Sequence, residues 1–89
     1  APSPDLRKPT EALQLLLPLT QGRGSASIEL WDIVSMAYAA NGQFDKAIAS
    51  AERARALASQ QGNEAAVRVI EQRRELYQKG EPYIESNAQ

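Results

Sequence analysis

The chain has 89 residues, enough for one small domain whose core must be efficient, because a chain of this size buries only about 60% of the surface it exposes when unfolded. Ten Lys and Arg against eleven Asp and Glu leave a net charge of −1, without the strongly basic footprint of a dedicated nucleic-acid binder. The absence of Cys and His removes disulfides, thiolate chemistry and His-based catalysis, and with them the usual zinc ligand sets.

The remaining composition, 43% hydrophobic and 6% aromatic with no alternating run of β-branched residues, predicts an all-α domain. Residues 1–8 are Pro-rich and aperiodic and read as a linker, so the chain is expected to be a piece of something larger. A first helix is predicted from Pro9, which the first turn tolerates, with Leu13, Leu16 and Leu17 on one stripe. Pro18 should end or kink it, since proline lacks the N–H and clashes with the carbonyl four residues back. The apolar run Leu15, Leu16, Leu17 is far too short to cross a bilayer. Gln21-Gly22-Arg23-Gly24-Ser25 reads as a loop.

A second helix is predicted over residues 27–40. Ser27 is its N-cap, Glu29 sits in the positive first turn, and Leu30, Trp31, Val34, Ala37 and Tyr38 form its apolar face. Asn41-Gly42 closes it, both residues tolerating the left-handed backbone that ends helices. A third helix, 44–60, carries Phe44, Ala47, Ile48, Ala51, Ala54 and Ala58 on one stripe, and so many alanines allow close backbone approach. Gly62 stops it. Asn63 caps a fourth helix reaching about Lys79, with Ala66, Val69, Ile70, Leu76 and Tyr77 on its apolar side and Glu64 placed to pair with Arg68. Gly80 and Pro82 end it, and residues 81–89 read as a tail that Tyr83 and Ile84 would pin.

The pattern Trp31, Val34, Ser35, Tyr38, Gly42, Phe44, Ala47, Ala54 resembles one tetratricopeptide repeat, spanning residues 28–61. Each position has a packing reason: large residues between paired helices, small ones where helices cross, glycine at the turn. Ala51 stands where the family usually has a bulky aromatic, and Ser59 where it usually has proline. Residues 10–21 look like the second helix of a preceding repeat. Residues 63–80 look like the first helix of a following one, with Arg73 in place of a small residue, as in a capping helix. The closing stretch, Leu76-Tyr77 through Gly80, Pro82 and Tyr83, is similar to the ends of many bacterial proteins of this family. The resemblance implies an antiparallel helix-turn-helix module over residues 9–80, a fragment of an α-solenoid with about four helices. It also implies a groove lined by Glu29, Asp32, Met36 and Ala40 from one helix and Val67, Ile70, Arg74 and Tyr77 from the next. The carboxylate clamp that holds chaperone tails in some members is not met, because Asp32, Met36, Val67 and Glu71 occupy its positions.

Catalytic chemistry finds little support. Glu29 and Asp32 lie three apart on one helical face and could pair as acid and base, but first-turn acids on a solvated face explain them better. Gly22-Arg23-Gly24-Ser25 lacks the lysine spacing and preceding strand of a phosphate loop. Arg53, Arg55, Arg68, Arg73, Arg74 and Lys79 make the later half basic, yet Glu52, Glu64, Glu71 and Glu75 interleave with them as in a salt-laced face. Trp31 and Tyr38 occupy core spacing rather than that of a stacking site.

The expectation is therefore a non-enzymatic interaction module that binds a protein or peptide in its groove. It would need no cofactor or metal, contact no nucleic acid and insert no segment into a membrane. Two alternatives stand beside it. One is a structural cap or accessory domain of a larger bacterial enzyme, such as a membrane-anchored glycosyltransferase. The other is self-association as a homodimer through the apolar flank near Thr10. The sequence assigns no compartment.

Overall fold

A computed structural model describes residues 8–21 and 27–81 of the chain. Among them lie four α-helices, α1 (Pro9–Leu16), α2 (Ile28–Ala40), α3 (Phe44–Gln60) and α4 (Glu64–Gln78), with a 3₁₀ turn at Leu17–Gln21, and there is no strand. The all-α class and four helices read from the sequence hold.

Helix boundaries follow local chemistry. The Ser27 hydroxyl accepts from the Leu30 amide at 3.1 Å and the Asn63 side chain accepts from the Ala66 amide at 3.1 Å, so both expected caps satisfy an otherwise orphaned donor. The C-termini of α2, α3 and α4 repeat one device. Gly42, Gly62 and Gly80 adopt φ of +77°, +71° and +74°, where a β-carbon is disfavoured. The residue after each glycine donates back to the helix: Gln43 to the Tyr38 carbonyl at 2.9 Å, Asn63 to Ala58 at 2.8 Å, Glu81 to Leu76 at 2.9 Å. These are Schellman closures. The α1 helix ends two residues ahead of Pro18, which has no N–H for the next helical bond, and the backbone tightens into the 3₁₀ turn.

Successive helices run antiparallel. Across the α2–α3 hairpin, Lys46 lies over the Tyr38 ring at 5.9 Å and Arg53 over the Trp31 ring at 5.1 Å, each pair equidistant in sequence from Gly42. Across α3–α4, Arg55 pairs with Glu71 at 2.6 Å and Arg74 with Glu52 at 3.4 Å, each pair equidistant from Asn63. The interleaved charges thus bridge neighbouring helices. The expected Glu64–Arg68 pair does not form. Being solvated, the charge pairs between helices fix register more than they add stability, each contributing about 0–1 kcal/mol.

Burial divides into two clusters. Ile28 and Ala39 of α2, Ala47, Ala51, Ala54 and Ala58 of α3, and Ile70 and Tyr77 of α4 form the larger one. Ala12, Leu13 and Leu16 of α1 pack with Val34 and Ala37 in the smaller. Tyr38 packs against both. The α2 helix consequently carries apolar residues on two sides, packed by α1 on one and by α3 on the other. The four α3 alanines are all fully buried, which lets α3 lie close to both neighbours. The Cα radius of gyration, 12.5 Å, is close to the ~12 Å of a compact chain of this length.

Candidate functional site

Because α2 and α4 are each antiparallel to α3, they run parallel to one another and leave a groove of about 360 Å³ between them. Ile28, Glu29 and Asp32 form its α2 wall; Asn63, Ala65, Ala66, Val69, Ile70 and Arg73 form the α4 wall. The floor is the buried side of Ile28 and Ile70. The α4 rim is small and apolar, and Val69, 44% exposed, is the one large hydrophobic that the groove leaves open to solvent among the described residues. At one end the Asp32 carboxylate takes an ion pair from the Arg73 guanidinium, both side chains more than four-fifths buried. This pair ties α2 to α4 directly. Its burial makes it sensitive to loss of either partner. The Ser35 hydroxyl donates at 2.6 Å to the Asp32 carbonyl and lies buried beside it.

The structure brings together three of the seven residues assigned to a groove from the sequence: Glu29, Asp32 and Ile70. The others are placed elsewhere. Tyr77 is 1% exposed in the α2–α3–α4 core and has no face to offer a partner, and Ile70, at 2%, contributes only to the floor. Arg74 points along the α3 side, where it meets Glu52. Val67 lines a separate hollow at the α3–α4 turn with Ser59 and Gly62. Met36 is half-buried on α2 beyond the groove, and Ala40 is exposed at the helix end.

The physical reason is helical phase. Ile70 and Tyr77 are buried in the core cluster, and the groove-lining residues Ala66, Val69 and Arg73 each lie one position before the expected Val67, Ile70 and Arg74. Arg73, expected as a polar residue on a shielding face, instead reaches Asp32. That coupling joins residues 41 positions apart, and no local spacing signals it. Trp31, expected in the core, is half-buried: it packs on the larger cluster and carries Arg53 on its outer face.

Asp32, which the sequence sets one helical turn from Glu29, is engaged by Arg73. Among the described residues no group of three or more acidic side chains is arranged to hold a metal ion, and no helix is long and apolar enough to cross a membrane. The Gly22-Arg23-Gly24-Ser25 loop and the tail residues Tyr83 and Ile84 lie outside the described residues. Compared with protein-family models, curated proteins and solved structures, the chain matches none significantly.

Proposed function

We propose that the chain is a helical-repeat interaction module of the tetratricopeptide kind, which holds a segment of another protein in the groove between α2 and α4. The observation that carries this reading is the groove itself: an apolar floor, a rim of small residues, and an exposed Val69 placed on that rim rather than scattered on the outer surface. Rigid parallel walls suit a peptide anchored by one or two aliphatic side chains, with the helices positioned in advance and little ordering cost on binding.

The test is a random displayed peptide library selected on the immobilised chain, followed by affinity measurement on wild type and Val69→Glu. Val69 is largely solvated, so its replacement by glutamate should leave the melting curve within about 0.5 kcal/mol of wild type. Peptide affinity should fall at least tenfold, because a charge would be set into the apolar rim. Peptides that bind Val69→Glu and wild type equally would refute the groove as the site.

A further inference from the structure

The charges around the groove do not cancel, and this leads to a partner of definite chemistry. We infer that the bound segment carries a Lys or Arg beside its aliphatic anchor, read by Glu29; the inference rests on the groove reading above. Three charged residues line the groove, Glu29, Asp32 and Arg73. Asp32 and Arg73 neutralise each other through their ion pair. Glu29 is exposed on the α2 wall and makes no ion pair or hydrogen bond among the described residues, and its carboxylate is the lining's charge without an ion-pair partner there.

The N-terminus of α2 opposes Glu29 with its partial positive charge. The parallel N-terminus of α4 adds a second half charge at this end, but it carries its own first-turn acid, Glu64, so two full carboxylate charges stand against two roughly half charges. Glu29 lies one helical turn from Asp32, across the groove from Ala65 and Val69. An aliphatic side chain set against Val69 and Ala66 would therefore have its neighbouring residue within reach of the Glu29 carboxylate. A cation there gains attraction, and an anion is repelled. An exposed rim charge acts mainly on selectivity and on the rate of association.

The experiment uses the library-selected peptides on the whole chain. Those whose binding depends on Val69 should be enriched in Lys or Arg next to an aliphatic residue. Replacing that base with Gln should weaken binding roughly two- to fivefold, and raising the salt concentration should erase the difference. On Glu29→Lys, checked for unchanged helicity by circular dichroism, the preference should invert in favour of peptides carrying Glu at that position; Glu29→Gln should abolish it in both directions. Val69-dependent peptides indifferent to Glu29→Gln and Glu29→Lys would overturn this inference and leave the groove reading standing. If no peptide depends on Val69, both fall together.

Discussion

Tyr77 and Trp31 exchange the roles that their residue types suggest. Tryptophan is the larger side chain, yet Trp31 keeps one face toward solvent under the Arg53 guanidinium, whereas Tyr77 is enclosed between α2, α3 and α4. The cost of truncation scales with the contacts and volume removed from a site that cannot collapse, not with size alone. Tyr77→Ala is therefore expected to destabilise the domain by about 3–5 kcal/mol, which for a chain this small approaches its whole stability. Trp31→Ala should cost less, about 1–3 kcal/mol, because part of the ring is already hydrated and the cation–π contact at a half-exposed site contributes under about 1 kcal/mol. Urea denaturation of the two variants decides the order. If Trp31→Ala proves the more damaging, Trp31 is more deeply packed between α2 and α3 than a half-buried ring.

Among the elements, α3 is the piece on which α2 and α4 are laid, and its character is set by alanine. Ala47, Ala51, Ala54 and Ala58 recur at helical spacing with no exposure, so the two flanking helices approach over backbone and methyl groups. Ala51 stands where members of the resembled family usually carry a bulky aromatic. Ala51→Phe should nonetheless destabilise this chain by at least about 1–3 kcal/mol, since no space is left for a ring; a thermal melt unchanged or raised would show that the helices can separate to admit it. Elements of this kind were legible in the sequence. Ser27 and Asn63 as caps, Gly42, Gly62 and Gly80 as stops, Pro18 as a breaker and the α3 alanine stripe all act within one or two helical turns, where spacing determines geometry. The groove was only half legible for the same reason inverted. Which side of α4 faces α2 depends on how α4 rolls onto α3. Ile70 and Tyr77 fix that roll, and a single step along the helix turns a candidate surface residue into a core one.

At the scale of the whole molecule, stability is unevenly shared, and function sits in the better-held part. The α1 helix has eight residues, short of what sustains a helix alone, and it is attached through Ala12, Leu13 and Leu16 to one side of α2. Leu15 of this helix and Leu19 of the turn that follows remain 55% and 60% exposed, so they add little to that attachment. The α2–α3–α4 unit has the larger cluster, three glycine closures and the ion pairs between helices. Local opening should therefore begin at α1. Native-state hydrogen exchange is expected to give the Leu13 and Leu16 amides protection at least about 1–2 kcal/mol below that of Val34, Ala51 and Ala54. The groove residues Ile70 and Arg73 should follow the latter group, because the groove is built only from α2 and α4 over α3. Equal protection in all four helices would mean that α1 is an integral part of one cooperative unit, with Tyr38 joining the two clusters too tightly for either to open alone. The graded outcome has a functional consequence: α1 can detach transiently while the groove keeps its shape, so peptide affinity should respond to changes in α3 packing and be nearly indifferent to changes in α1 that leave the domain folded.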